Sequence, residues 1–230
     1  MKIVGNGLLA NAFLSQDYKD VTIFASGVSN SLETNKAKFL RESDLLQEIL
    51  ELNGQLIYFS TASIYSENTI KTAYVQHKLK MEEIVLEKSS HNIVIRLPQV
   101  VGESSNPHTL LNFLANSIVF NRHYYLQSSA VKNLIDIEHV VELTSILIQK
   151  NCSGGLYNFC VPVSCKVGEI VNTLELLLEK KSNHSIVNGD IDHFPVSNFV
   201  TKCIQDGVVS IPNSYVNKIL RKYYSCFRGF

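Results

Sequence analysis

Short apolar runs alternate with longer amphipathic stretches through the first hundred residues of the chain. The runs predict four buried strands, at residues 2–5, 21–26, 55–61 and within NIVIRLPQVVG, where the strand ends before Pro98. The stretches between them predict three helices, at residues 8–15, 31–53 and 74–88. Strands that alternate with helices are typical of βα units, so we expect an α/β fold built on a parallel sheet.

The pattern is more mixed in the second half of the chain. It predicts helices at residues 108–120, after Ile137, within VGEIVNTLELLLEKK and at 215–224, with short strands at HYYLQ, NLID and LYNFC. Asn112 and Asn116 are four residues apart on one of these helices, where a solvated face is expected. We expect this half to pack on the sheet as part of one compact unit.

Composition narrows the class of protein. The chain has 230 residues, 45% of them hydrophobic, and Lys plus Arg balance Asp plus Glu at 21 each. The neutral balance argues against nucleic acid as the main partner. The start of the chain does not resemble a signal peptide, and no apolar run approaches a membrane span. Five cysteines, an odd number without a CxxC pair, favour a reduced cytoplasmic protein with no metal site.

Tyr74 and Lys78 are the most informative residues. Positions four apart share one face of a helix, so the phenol and the ammonium would point into one site, and a nearby cation favours the phenolate. Thr61, at the end of the preceding strand, would hold a substrate carbonyl beside the phenol. This set favours hydride transfer at a carbonyl carbon, although a solvated YxxxK pair is common by chance. His77 is expected to point away from the Tyr74 and Lys78 face.

A glycine turn separates the first strand from the first helix. Its sequence, GNGLLA (residues 5–10), has the form GxGxxA in the context that dinucleotide binding requires, although a tight turn alone would also need glycine. The next strand ends at Ala25 and Ser26, without the acid that usually binds a ribose and without an Arg. These small residues suit a strand end that passes under a cofactor.

Together these segments resemble the extended short-chain dehydrogenases/reductases, in the NAD(P)-dependent sugar-nucleotide epimerase/dehydratase family. GNGLLA, IFAS, YFSTASIYS, YVQHK, RLPQVVG and KNLIDIEHVVE carry the resemblance, over residues 1 to about 145. It implies a Rossmann-like sheet with helices on both faces, NADP or NAD as cofactor and a nucleotide sugar as substrate. It implies a dinucleotide-binding part at 1–103, and a small substrate-binding part that completes the sheet at 104–230.

The resemblance also implies roles for individual residues. The catalytic residues would be Thr61, Tyr74 and Lys78, and Lys78 would also bond the nicotinamide ribose. The cofactor would be bound by Gly5, Asn6, Gly7, Leu8, Leu9, Ala25, Ser26, Ser60, Tyr74, Lys78, Leu97 and Pro98. The substrate would be bound by Thr61, Ala62, Ser63, Gln99 and Lys132. Gln99 replaces the usual Asn, and Lys132 replaces an Arg, which keeps the charge and loses the bidentate fork.

Departures from the family pattern shape the functional prediction. The room between Lys2 and Thr61 allows two crossovers only, so about two strands are missing and the first strand should lie near an edge. Dimerisation or a covering loop at that edge is a hypothesis. Thr61-Ala62-Ser63 lacks the extra acid of the dehydratases. The chain is therefore predicted to reduce a nucleotide-activated 4-keto-6-deoxy sugar in surface-polysaccharide biosynthesis. A 4-epimerase and a non-catalytic dinucleotide sensor or partner subunit remain as alternatives.

Overall fold

The computed structural model describes residues 1–66, 69–150, 154–189 and 192–229. The strands are β1 (Lys2–Val4), β2 (Val21–Phe24), β3 (Gln55–Thr61), β4 (Ile93–Leu97), β5 (Gln99–Val101), β6 (Tyr124–Leu126), β7 (Val131–Asp136), β8 (Gly155–Asn158), β9 (Ser164–Lys166) and β10 (His184–Ile186). The helices are α1 (Leu8–Ala12), α2 (Lys36–Leu50), α3 (Ala73–Lys88), α4 (Leu110–Val119), α5 (Ile137–Gln149), α6 (Val167–Leu178), α7 (Asn198–Gln205) and α8 (Tyr215–Tyr224).

Five strands form the main sheet, in the order β1-β2-β3-β4-β8, and all of them are parallel. The prediction of a Rossmann-like parallel sheet shortened by about two strands is confirmed, and β1 lies at the edge as expected. No further strand pairs with the outer side of β1 among the described residues. The carboxyl ends of all five strands therefore meet at one edge of the sheet, which is where open α/β sheets bind ligands.

Helices cover both faces of this sheet, because successive side chains of a buried strand point to opposite sides. Leu56 and Tyr58 of β3 pack with Leu46 of α2 and Met81 of α3 on one face. Ile57 and Phe59 belong to the larger core on the other face, which also contains residues of α5 and of the second half of the chain. One apolar core therefore runs through both halves.

The second half adds two small sheets, one in the order β5-β7-β9 and the other pairing β6 with β10. The expectation of a solvated asparagine face on α4 is wrong, because Asn112 and Asn116 are both buried. Asn112 Oδ1 accepts a 2.7 Å hydrogen bond from the Tyr224 hydroxyl, and its Nδ2 donates to the carbonyls of Ser104 and Asn106. Asn112 thus ties α4 to α8.

Two helices are shorter than the pattern predicts. Helix α1 has five residues, because the chain tightens at Phe13 and Leu14 into i→i+3 hydrogen bonds. Helix α2 begins only at Lys36, where the Asn35 side chain accepts a 2.9 Å hydrogen bond from the amide of Ala37. Within the described ranges, no helix has the length and apolar character needed to cross a membrane.

Candidate active site

Tyr74 and Lys78 lie on the buried face of α3, with side chains directed at the sheet. Helix α3 begins after Thr72, whose hydroxyl oxygen accepts a 3.3 Å hydrogen bond from the amide of Val75. One turn separates the two residues, and Tyr74 is 8% exposed and Lys78 3% exposed. The predicted shared face is therefore present, at the level of the carboxyl end of β3.

The Lys78 ammonium is held by three acceptors, one from α2 and two from β3. Its Nζ lies 2.9 Å from Glu42 Oε1, 3.1 Å from the Tyr58 hydroxyl and 3.4 Å from the Phe59 carbonyl oxygen. An ammonium has three hydrogen-bond donors, so these contacts use its full capacity. A side-chain carbon added at Gly27 would lie 2.4 Å from Nζ, so the loop that follows β2 approaches the ammonium closely.

Glu42 was missed by the sequence analysis, yet it is the centre of this cluster. It is fully buried and accepts hydrogen bonds of 2.6 Å from both the Val28 amide and the Tyr58 hydroxyl. Burial alone would raise its pKa, but the Lys78 charge and the surrounding hydrogen bonds prevail and hold the pKa well below its ordinary value. Burial, together with the Glu42 carboxylate, raises the pKa of Tyr58 well above its ordinary value. Glu42 is thus a carboxylate and Tyr58 a neutral donor.

A signal for Glu42 was present in the sequence. It lies three residues after Phe39 and four before Leu46, on the apolar stripe of α2, where an ionised side chain requires a buried partner.

The expectation that His77 points away from this site is wrong. His77 Nε2 lies 3.2 Å from Glu42 Oε2, out of line for a hydrogen bond, and its ring packs on Phe39 at 4.8 Å. His77 and Lys78 therefore converge on one carboxylate.

Thr61 is the last residue of β3 and lies opposite Leu97 of β4. Its hydroxyl oxygen accepts a 3.1 Å hydrogen bond from the Ser63 amide and so caps a short 3-10 helix, Ala62–Tyr65. Among the described residues, no group forms a hydrogen bond with the Tyr74 hydroxyl.

Ser60 faces a second buried ion pair, on the α3 side of the sheet. Its hydroxyl donates a 2.5 Å hydrogen bond to Glu82 Oε1, and Glu82 also receives Arg96 through Nε at 3.0 Å and through a terminal nitrogen at 2.6 Å. The remaining terminal nitrogen of Arg96 reaches the Tyr65 hydroxyl at 3.2 Å. The Ser60 side chain is therefore occupied within the protein.

The glycine turn lies at the same sheet edge, after β1. Gly5 has a φ of +130°, and an added side-chain carbon would lie 2.5 Å from the Ala25 carbonyl oxygen, so the fold itself demands glycine there. Gly7 has an ordinary negative φ, and the space where a side chain would stand is open. The side chains of Leu8 and Leu9 pack into the core, whereas Asn6 is exposed.

The end of β2 holds an arginine that the sequence analysis did not anticipate. Arg41 of α2 donates through one terminal nitrogen to Ser26 Oγ at 3.1 Å and through the other to the Ser26 carbonyl oxygen at 2.8 Å. The sequence next to Ser26 contains no Arg, as noted above. In the folded chain, however, α2 places Arg41, fifteen residues further on, beside this strand end. The Ala25 amide, in turn, bonds the Val4 carbonyl at 2.8 Å.

The chain matches solved structures but no family model or curated sequence. No model of a protein family matches the chain, and no curated protein matches it either. Solved structures match over nearly the whole chain.

The chain has the fold of sugar-nucleotide epimerases. The UDP-glucose 4-epimerase of Thermus thermophilus, in complex with NAD, has a TM-score of 0.69 at 16% identity, covering 95% of this chain and 81% of that one. RMD from Pseudomonas aeruginosa, complexed with NADPH, has a TM-score of 0.70 at 16% identity, covering 100% and 90%. Bacillus cereus UDP-glucuronic acid 4-epimerase, solved as a mutant with NAD, has a TM-score of 0.68 at 16% identity, covering 95% and 78%. These likenesses confirm the fold that the resemblance implied.

Within this fold, the two halves of the chain meet beside the glycine turn. Leu8 lines a narrow space of about 10 Å³ together with Gln99 and Gly102 of the first half and Tyr224 of α8. Pro98 is half-buried between β4 and β5. A larger cavity, of about 280 Å³, opens at the opposite edge of the sheet, at the amino ends of β2 and β3, away from the predicted residues.

Lys132 is held by the C-terminal part of the chain. Its Nζ lies 3.5 Å from Asp192 Oδ2, and its side chain is 28% exposed. The structure thus brings Thr61, Tyr74 and Lys78 to one sheet edge with the glycine turn, whereas Ser60 and Lys132 are already bound to other residues. Among the described residues, no group of three or more His, Cys, Asp or Glu side chains is placed to hold a metal ion.

Proposed function

We propose that the protein is an NAD(P)-dependent oxidoreductase that acts on a nucleotide-activated sugar. One observation carries the proposal: Tyr74 and Lys78 share a buried helix face beside a parallel sheet in which the strands that lead to Thr61 and to the glycine turn end at the same edge. The solved structures with this fold include enzymes with NAD and with NADPH bound. In this proposal, residues 1–103 bind the cofactor and residues 104–230 bind the substrate.

The residues at the glycine turn fit a dinucleotide. The open space beside Gly7 allows a phosphate to approach the backbone closely, and nothing in the protein's own packing requires glycine at that position. Asn6, Leu8 and Leu9 would offer backbone amides, and Ala25 and Ser26 would form the floor beside them. Leu97 and Pro98 would border the nicotinamide. When bound, the cofactor supplies or accepts a hydride.

Tyr74 would move the proton that accompanies the hydride. Its hydroxyl has no hydrogen-bond partner among the described residues, so a substrate carbonyl or alcohol oxygen can take that position. The Thr61 hydroxyl accepts from the Ser63 amide and keeps its own proton available for the same substrate oxygen. Ala62, Ser63, Gln99 and Lys132 would contact the rest of the substrate, and Lys132 would have to leave Asp192 to do so.

Lys78 would act differently from the sequence expectation. Because the Glu42 carboxylate lies on its ammonium, the pair presents little net charge to Tyr74. Lys78 can hold the nicotinamide ribose only by releasing one acceptor, and the Phe59 carbonyl, at 3.4 Å, is the weakest of the three. Its first role is therefore to fix the position of α3 against α2 and β3.

Reduction of a 4-keto-6-deoxy sugar is the reaction we favour, as in surface-polysaccharide biosynthesis. Thr61-Ala62-Ser63 offers no acid for dehydration. The cofactor-binding part of the sheet is shortened by about two strands, which disfavours permanent retention of a dinucleotide. A 4-epimerase is the second candidate, because the proteins with this fold include 4-epimerases. A reductase consumes one NADPH per product, whereas an epimerase consumes none.

The test is a screen of nucleotide-activated 4-keto sugars with NADPH oxidation as the readout. We expect at least one substrate to be reduced, and Tyr74→Phe to abolish turnover while leaving cofactor binding nearly intact. Tyr125→Phe, on a tyrosine that is 73% exposed, is the matched control and should behave as the wild type. Turnover by Tyr74→Phe at the wild-type rate would contradict the mechanism.

A non-catalytic role is the remaining candidate, as a dinucleotide sensor or a partner subunit. The observation in its favour is that protein groups already occupy all three donors of Lys78. Saturable binding of NADPH with no reduction or epimerisation of any nucleotide sugar would support the sensor. Absence of binding would support the partner subunit and would contradict the enzyme.

A further inference from the structure

Arg41 is a cation at the ligand edge of the sheet without an acidic partner among the described residues. Its side chain is exposed, yet it is not loose, because two hydrogen bonds anchor it to Ser26. A guanidinium has five donors, so this anchoring leaves others for a ligand. An exposed arginine with a fixed direction and no counter-charge is suited to bind an anion.

The position of Arg41 relates it directly to the glycine turn. A side-chain carbon at Gly5 would lie 3.1 Å from the Ser26 amide nitrogen, so the residue that anchors Arg41 also touches the turn. Ser26 follows β2, and β2 lies between β1, which leads into the turn, and β3, which leads to Thr61. Arg41 is therefore on the side of the turn that faces the catalytic residues, and not beyond the outer edge of β1.

The short first helix gives a physical reason for a cation here. In dinucleotide-binding folds the pyrophosphate is attracted by the aligned peptide dipoles of the helix that follows the glycine turn. Helix α1 has only five residues and carries no side-chain cap at its start, so this attraction is weak. A guanidinium beside the turn would compensate, because it binds phosphate oxygens through paired, charge-assisted hydrogen bonds.

We propose that Arg41 binds the pyrophosphate of the cofactor. This inference rests on the proposed function and adds to it a residue from α2, outside the glycine turn. Because NAD and NADP share the pyrophosphate, Arg41 should contribute equally to the binding of both. A contact with the adenosine 2′-phosphate, which only NADP carries, would make the contribution unequal.

The test is a titration of NADH and NADPH into the full-length protein, followed by nicotinamide fluorescence. We expect Arg41→Ala to weaken both cofactors by the same factor, roughly tenfold or more, and to reduce the salt dependence of binding. Arg41→Lys, which keeps the charge and loses the fork, should fall between Arg41→Ala and the wild type. Lys38→Ala is the matched control on the same helix, since Lys38 is exposed and pairs with Glu33, and should bind as the wild type does.

The outcomes separate this inference from the proposed function. Unchanged affinity of Arg41→Ala for both cofactors, with binding by the wild type, overturns the inference alone. Weaker binding of NADPH only also overturns it, since the contact would then be with the 2′-phosphate. No binding of either cofactor by the wild type overturns both. If Arg41→Ala does not fold, the comparison of Arg41→Lys with Lys38→Ala decides on the same criteria.

Discussion

The carboxyl ends of β3 and β1 lie at the same edge of the sheet, but they are built in different ways. At the end of β3, the sixteen-residue helix α3 directs Tyr74 and Lys78 into the protein, and Glu42 receives donors from β3, α3 and the Val28 amide. At the end of β1, a helix of five residues follows an open glycine turn at the edge of the sheet. The first region is held by buried charge pairs, whereas the second depends on backbone geometry.

This difference indicates that the β3 end contributes mainly to the stability of the fold and the β1 end mainly to ligand binding. Charges that are removed from water must be paired with good geometry, so the buried Lys78 and Glu42 fix α2, α3 and β3 relative to one another. The end of β1 has no such network among the described residues, and a ligand there would be held by backbone amides and by Arg41. We therefore expect substitutions in the charge cluster at the β3 end to cost stability, and substitutions of Gly7 and Arg41 at the β1 end to cost affinity.

Removal of the Lys78 charge should give the largest effect. Lys78→Met leaves the Glu42 carboxylate buried without its cation, which we expect to lower the free energy of unfolding by about 3–5 kcal/mol, as measured by urea denaturation. The double variant Lys78→Met with Glu42→Gln removes both charges and should recover much of that loss. A loss below about 1 kcal/mol in the single variant would show that the pair does not fix this region.

Substitution of the two glycines of the turn should separate stability from binding within the β1 end itself. Gly5→Ala meets the Ala25 carbonyl and an unfavourable φ, so we expect a loss of roughly 1–3 kcal/mol in thermal or chemical unfolding. Gly7→Ala enters open space and should cost less than about 1 kcal/mol. Gly7→Ala should nevertheless lower the affinity for NADH and for NADPH, because the added methyl group occupies the space proposed for a phosphate. Wild-type affinity in Gly7→Ala would contradict the proposed site.

Acidification should act on the β3 end. The pKa of Glu42 is lower in the folded chain than its ordinary value of 4.5, so its contribution to stability is present above that value and is lost as the pH falls below it. The slope for one proton approaches about 1.4 kcal/mol per pH unit. Unfolding curves between pH 5 and 3, taken on wild type and on Glu42→Gln, should show a shallower fall for the variant. Parallel curves would mean that Glu42 is not the group responsible.

The sequence predicted those strands and helices whose apolar residues recur at regular spacing along the chain. The bounds of β3 and α8 match the prediction, and α3 differs by one residue, because their apolar positions recur regularly. The short elements β5, β9, β10 and α7 were missed, since three to eight residues carry too little pattern. The interior charges were missed for another reason. The contact of Lys78 with Glu42 joins residues 36 positions apart, and that of Arg41 with Ser26 depends on how α2 lies on the sheet.

Spacing and motif predicted the pair on α3 and the glycine turn, and the resemblance to a family added their roles, but neither identified the residues that hold Lys78 or that lie beside the turn. Glu42 and Arg41 are neighbours on α2, one directed into the core and the other to the sheet edge. The roles of Thr61, Tyr74 and Lys78 stay predictions until turnover is measured. Helix α2 thus supplies a buried carboxylate to Lys78 and an exposed guanidinium to the end of β2.

Hydrogen exchange with and without NADPH tests most directly whether the carboxyl end of β3 is rigid in the free protein, and whether the glycine turn after β1 becomes ordered only when the cofactor binds. In the free protein, amides of β3 and of α3 from Lys78 onward should exchange slowly, and amides of residues 5–9 should exchange fast. Saturating NADPH should slow exchange at residues 5–9 and at Ala25 and Ser26, with little change in β3. The absence of any protection at the glycine turn with saturating NADPH would contradict the account.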